Sequence, residues 1–399
     1  MTRSFGNYRN ALLALPLLAA MAGTGCKKDD DKNVDTTPAT IQFIFTSDAH
    51  YGITRAEFQG KKTVDAHTVN AAMIAQMNTL PGMTLPNDGG VNAGKKINTI
   101  DYLLQGGDIA NRMETSASVQ TAAASWEQFK IDYLQNLTIK NQNNEKTELL
   151  MVPGNHDVSN TIGYYANMNP LTDASSMAQI YNLMFKTTTK TASNYSYMKD
   201  RINYSRNIGR EHFCIIQMWV DSSVRVWMAK DLQNVSASTP VIIVAHDQPA
   251  VVSNHFTNPY GNHSINSTDK FDNVLDEMLK DGTVAATGSD AIEQRGFVAF
   301  LKQHPNIKAY LHGHAHESKY YTYTGPDNDV ALKAVGADSP MKGVVSSTTG
   351  KENQLTFHFG ALDTKTMTLT MREVYWNPDP TNPGAPIQWG TTKFDISLK

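Results

Sequence analysis

Five short polar blocks recur down this chain, each within two residues of the end of an apolar run. Asp48-Ala49-His50 follows IQFIF, Gly107-Asp108 follows DYLLQ, and Gly154-Asn155-His156-Asp157 follows ELLMV. Ala245-His246 closes PVIIV, and Gly313-His314-Ala315-His316 follows IKAYL. Apolar runs of this length that end in Gly or a polar turn read as strands buried on both faces, as in a parallel sheet. In an open α/β sheet, the loops leaving the carboxyl ends of the strands carry the ligands. Taken singly the blocks say little, because Gly-Asp is mostly a turn and an isolated His after a strand is mostly a surface or core residue. All five in order, each at a strand end, make coincidence untenable.

Carboxylate, imidazole and amide are hard and borderline donors, and together they suit divalent cations such as Fe, Zn or Mn. Asp48 and His50 stand two apart, and in an extended segment both side chains project to one side. His314 and His316 share that spacing. Gly106-Gly107 lets the backbone turn sharply and present Asp108 outward. One carboxylate can bridge two cations about 3.5–4 Å apart. Asn155 offers a neutral amide oxygen, and His156, next in line, is available to act on a leaving group.

The order Asp-x-His, Gly-Asp, Gly-Asn-His-Asp, His, Gly-His-x-His closely resembles the calcineurin-like metallophosphoesterase superfamily, over residues 41 to about 320. The resemblance implies an α/β fold: a four-layer αββα sandwich of two mixed β-sheets flanked by helices, with a dinuclear metal site at strand C-terminal ends. It implies that Asp48, His50, Asp108 and His316 hold one divalent metal ion. Asp108 as bridge, Asn155, His246 and His314 would hold the other, and His156 would be the general acid or hydrogen-bond donor. The implied reaction is hydrolysis of a phosphate ester, monoester or diester, by a hydroxide shared between the metals. Two departures stand out. Asn111 occupies a position where the family often has a carboxylate or tyrosine, so His156 needs another orienting partner, with Asp157 or a backbone carbonyl as candidates. His246-Asp247-Gln248-Pro249 has two residues between His and Pro where one is more usual.

The 399 residues carry 40% hydrophobic and 18% charged side chains, a globular composition. The net charge of −3 and the lack of a Lys/Arg stripe argue against a dedicated nucleic-acid partner, while leaving room for a small phosphorylated substrate. Arg3 and Arg9 precede ALLALPLLAAMAG, which has the length of a signal-peptide core and is too short to span a bilayer. Gly23-Thr24-Gly25-Cys26 resembles a bacterial lipoprotein processing site, although Gly23 stands where a large aliphatic is usual. The expectation is a signal peptide at 1–25, lipidated Cys26, a disordered tether over 26–40 and one catalytic domain over 41–399. Such a protein is exported and lipid-anchored to the bacterial outer membrane or cell surface. An ordinary secretory peptide or a buried first helix is the alternative. Cys214, in FCIIQMWV, is expected in the core.

Apolar spacing predicts helices over Val64–Met77, around Ser118–Leu137, over Val226–Leu232, around Phe271–Leu279 and over Ile292–Lys302. Pro81–Lys96 reads as a loop, and FCIIQMWV as a further buried strand. LTFHFGAL, TMTLTMREVYW and TKFDISL read as antiparallel strands that complete a sheet. Insertions at 158–205 and 250–290 are expected to line the cleft. Arg112 behind the Asp108 loop, Arg206 in YSRNIG, and His255 and His263 in the second insertion are candidate substrate-binding residues, with a surface or structural role as the alternative for each. A catalytically silent surface binding lipoprotein on the same fold is the competing reading, and the full ligand set together with His156 speaks against it.

Overall fold

The computed structural model describes residues 37–111, 120–158, 174–196, 199–251, 291–342 and 351–399. Cys26, Arg112, His255, His263 and the helix expected around 271–279 lie outside them. Residues 37–399 form one compact unit.

The strands are β1 (Thr40–Thr46), β2 (Thr54–Phe58), β3 (Lys61–Asp65), β4 (Tyr102–Gln105), β5 (Glu148–Met151), β6 (Tyr204–Ile208) and β7 (Glu211–Ile215). They continue with β8 (Val241–Ala245), β9 (Ile307–His312), β10 (Lys319–Tyr323), β11 (Leu332–Gly336), β12 (Thr356–Asp363), β13 (Thr368–Tyr375) and β14 (Gln388–Ser397). Among the described residues they form two six-stranded mixed sheets and a small hairpin, β2–β3. The first sheet runs β14-β13-β12-β1-β4-β5, with β1, β4 and β5 parallel. The second runs β10-β11-β9-β8-β7-β6, with β11, β9, β8 and β7 parallel.

The two sheets meet through the odd-numbered face of β1, where Phe43 packs edge-on against Phe213 of β7 with ring centroids 6.5 Å apart. The opposite face of β1 meets a helix, α1 (Ala66–Met77), whose Met73 sulfur lies 3.9 Å from Thr46. Asp65 caps α1 by accepting the Thr68 N–H. Strands covered on both faces must be apolar throughout, which is why IQFIF and VIIVA show no alternation. Beyond the second sheet lie α5 (Ser222–Leu232), capped by Asp221, and α6 (Ala291–Gln303); Phe297 of α6 packs on Trp219 and Tyr310. Between α1 and α5 come α2 (Ala122–Phe129), α3 (Asn155–Val158) and α4 (Ser175–Phe185).

Three details differ from expectation. Residues 61–65 belong to the β2–β3 hairpin, so α1 starts two residues later than the apolar spacing suggested. The helix expected around 118–137 is α2 followed by a wider π-helical turn, Lys130–Asn136. FCIIQMWV is strand only to Ile215, after which the chain turns and buries Trp219. The antiparallel tail joins the first sheet, β12 beside β1, through the register Phe43↔Gly360.

Candidate metal centre

The carboxyl ends of β1, β4, β5, β8 and β9 deliver the five blocks to one place. The loop after β1 continues to pair with the loop after β4: the Asp48 and His50 N–H groups donate to the Gly107 and Asp108 carbonyls, each at 2.9 Å. Asp48 and His50 are not extended, as their spacing suggested. Both have positive φ (57° and 46°), as do Asp108 (54°), His314 (64°) and His316 (53°). The left-handed region disfavours side chains with a Cβ, so each residue stores strain that its surroundings must hold in place. The curl turns each side chain inward, so convergence comes from the bent backbone and not from strand alternation.

Two donor groups result. In the first, His316 Nε2 lies 3.1 Å from Asp48 Oδ1 and 3.1 Å from His50 Nε2. His50 Nε2 is 3.6 Å from both Asp48 Oδ1 and Asp108 Oδ2. In the second, Asn155 Oδ1 lies 3.0 Å from His246 Nε2 and 3.2 Å from His314 Nδ1, while His246 Nε2 is 3.5 Å from Asp108 Oδ1. Asp108 therefore turns one carboxylate oxygen to each group. Asp247 was not singled out by sequence, yet its carboxylate falls within reach of His246 and His314; burial pushes that carboxyl up to about 6.

Asp48 Oδ1 and Asp108 Oδ2 are fully buried, and among the described residues no donor meets either with hydrogen-bond geometry. Two carboxylates this close, with buried oxygens facing imidazole nitrogens, are the arrangement that divalent cations complete. Burial would raise the Asp48 carboxyl, but the imidazoles of His316, His50 and His246 together hold it well below the usual range. Burial, with the charges of Asp48 and Asp157, pushes Asp108 up. Burial and the Lys342 ammonium hold His50 well below its ordinary value, in the neutral form that ligates metals. The Gly106 carbonyl accepts from His246 Nδ1 at 2.8 Å, so Nε2 is the nitrogen turned to Asn155 and Asp108. His316 is 24% exposed while Asp48, His50, Asp108 and His246 are sealed, so the centre opens to solvent past His316.

His156 sits beside these groups. Its backbone N–H donates to Asp108 Oδ1 at 2.8 Å, and its ring packs edge-on against His50 at 4.9 Å. A carbonyl can only accept, so Nδ1 donates to the Asn111 carbonyl at 2.6 Å and Nε2 faces the other way. The orienting partner thus comes from the backbone of the residue whose side chain departs from the family pattern. Asp157 has a different task. Its carboxylate accepts the N–H groups of Ile109, Ala110 and Gly154, which clamps the β4 and β5 loops together. Burial, then the neighbouring His50 and Lys342, hold the His156 imidazole well below its ordinary value.

Arg206 is not brought to the centre. On β6 it donates to the Ser205 carbonyl and lies over the Tyr204 ring. His312 stays within β9, buried, with Nε2 at 2.8 Å from the Tyr321 hydroxyl. Lys342 is the residue that sequence reasoning missed: its Nζ lies 3.2 Å from His156 Nε2. Nothing in SPMKG marks it, since no metal-ligand pattern includes it and a lone Lys is ordinarily a surface residue.

Residues 41–318 match the family model for calcineurin-like phosphoesterases. No match is found among curated proteins. Among solved structures, a dimetal phosphatase from Danio rerio is similar at 10% identity, with 90% of this chain and 99% of that chain covered and a TM-score of 0.48. A predicted phosphoesterase from Streptococcus pneumoniae aligns at 8% identity, covering 90% of this chain and 99% of its own, with a TM-score of 0.30. Phosphopantetheinyl hydrolase from Mycobacterium tuberculosis aligns at 12% identity over 76% of this chain and 91% of its own, TM-score 0.31. With the family model covering most of its length, the chain belongs to the calcineurin-like phosphoesterase family.

Proposed function

We propose that this protein is a metal-dependent hydrolase of small phosphate esters, with one cation held by Asp48, His50, Asp108 and His316 and a second by Asp108, Asn155, His246 and His314. The observation that carries the reading is Asp108, with one oxygen turned to each group and neither group complete without it. When bound, the cations supply Lewis acidity toward a phosphoryl oxygen and activate the water nucleophile. The protein's own groups do the rest. Gly106, through its carbonyl, fixes the His246 ring, and Asp157 fixes the loop that carries Asn155. His156, held through Nδ1 by the Asn111 carbonyl, directs Nε2 toward the departing oxygen; since Nδ1 carries the proton of the neutral ring, Nε2 takes one up from solvent and passes it to that oxygen.

The test is a panel of phosphomonoesters and diesters offered to purified, metal-reconstituted protein. About two divalent ions per chain and hydrolysis that disappears in Asp108→Asn are expected. A protein that binds two ions and cleaves no ester would defeat the reading.

We also propose export with lipidation at Cys26, on the strength of the short apolar run, the small residues before Cys26 and the charged segment after it. Detergent partitioning should be lost in Cys26→Ser; a mature N-terminus at any other residue would refute it.

A further inference from the structure

Behind β11 the chain turns back across the metal centre, and buried groups tether the turn along its length. The Ala337 N–H donates to the His312 carbonyl at 2.8 Å. The Asp338 carboxylate accepts the N–H of Ser339 at 2.8 Å. Ser339 Oγ donates to the Asp48 carbonyl at 2.8 Å and accepts the N–H groups of Met341 and Lys342, at 3.2 and 2.8 Å. The Pro340 carbonyl accepts from the buried guanidinium of Arg55 at 3.0 Å. Asp48 is itself in the first donor group, so this turn is tied to the centre by the backbone of one of its residues. The Lys342 backbone is held at its N–H by Ser339 Oγ.

Its ammonium reaches 3.2 Å from His156 Nε2, the nitrogen turned away from Asn111. His156 in turn packs on His50 and donates its N–H to Asp108, which places the ammonium beside the first donor group. What such a cation recognises well is an anionic oxygen, because an ammonium has three donors and no acceptor and acts as a point charge toward phosphate. It can touch His156 and a phosphoryl oxygen together.

We propose that Lys342 binds a non-bridging oxygen of the substrate phosphoryl group and thereby biases the site toward phosphomonoesters; this rests on the phosphoesterase reading above. A monoester dianion carries one more charged oxygen than a diester monoanion. A third cation beside two metal ions therefore favours the monoester through that additional oxygen.

The experiment compares wild type, Lys342→Met and Lys342→Arg, each reconstituted with metal and checked for metal content. Inorganic phosphate is titrated into each by calorimetry, and kcat/KM is measured for p-nitrophenyl phosphate and for bis(p-nitrophenyl) phosphate. With metal content unchanged, Lys342→Met should weaken phosphate binding and monoester turnover by roughly 10–100-fold, the range of one charge-assisted hydrogen bond. The diester should lose less than about 3-fold, since that additional oxygen is absent, and Lys342→Arg should retain most of the monoester activity. Equal losses on both esters, or unchanged phosphate affinity in Lys342→Met, would overturn the proposal. A metal-loaded wild type that cleaves neither ester would defeat the phosphoesterase reading by itself. The calorimetry would then still decide whether Lys342 holds phosphate.

Discussion

At the scale of single residues, the centre is built from side chains held where they would not rest by themselves. Asp48, His50, Asp108, His314 and His316 all have left-handed backbones, a conformation that costs of order 1–3 kcal/mol for a residue with a Cβ. The Asp48 and His50 N–H bonds into the β4 loop, and the His314 N–H bond to Asp48 Oδ2 at 2.9 Å, hold it in place. His156 is set by two bonds of opposite kind, its N–H to Asp108 and its Nδ1 to the Asn111 carbonyl. That geometry allows a sharp prediction, because the bond to Asp108 comes from the backbone and survives truncation of the side chain. His156→Ala should keep about two metal ions per chain and lower kcat by roughly 10²–10⁴-fold, the usual worth of a general acid. The loss should be largest for alkyl phosphates and small for p-nitrophenyl phosphate, whose leaving group departs without a proton. Equal losses across leaving groups, measured as a plot of log kcat against leaving-group pKa, would rule out proton delivery by His156.

At the scale of elements, strand ends and short glycine turns decide how closely the blocks approach. At Gly154 an added Cβ would stand 2.1 Å from Asp108 Oδ1 and 2.5 Å from the Asp108 backbone nitrogen. Backbone cannot give way as a flexible side chain can, so the β5 loop must move away from the β4 loop. Gly154→Ala is therefore expected to lose metal and activity together, while far-ultraviolet circular dichroism keeps the signature of the two sheets. Gly384→Ala is the control, since its nearest neighbour, Asn382 Oδ1, is 3.7 Å away. Metal titration of both variants checks it; full occupancy in Gly154→Ala would mean the loops are looser than their contacts indicate. Much at this scale was legible beforehand. β1, β4, β5, β8 and β9 lie where their apolar runs stand, and α5 covers the predicted stretch. The β2–β3 hairpin was not legible, because TRAEFQGKKTVD is mostly polar and carries no alternation strong enough to mark a strand.

At the scale of the whole molecule, the two sheets bring five strand ends together and bury a carboxylate pair where they meet. A ligand that binds only the folded state stabilises it by mass action, by about 2.7 kcal/mol for each site at a hundred times its Kd. Chelation should therefore lower the Tm of wild type, and metal should restore it. Asp108→Asn should abolish that increment, and with chelator present it should melt above wild type, because it removes a buried charge crowded by Asp48 and Asp157. Differential scanning calorimetry with and without chelator measures both, and a chelated Asp108→Asn melting below wild type would count against this account. The sequence by itself determined the parallel strands and the donors at their ends, because an apolar run and the turn behind it are local and show in a few consecutive residues. It also carried the family pattern, since the order of the blocks is a property of the chain. Only the tertiary structure decided that the donors curl inward through left-handed backbones and that Asn111 holds His156 by its carbonyl. It alone set β12 beside β1 and brought Lys342 to His156. Each of these depends on contacts between segments far apart in the chain, such as Ser339 with Asp48, and such contacts appear only when the two sheets close on each other.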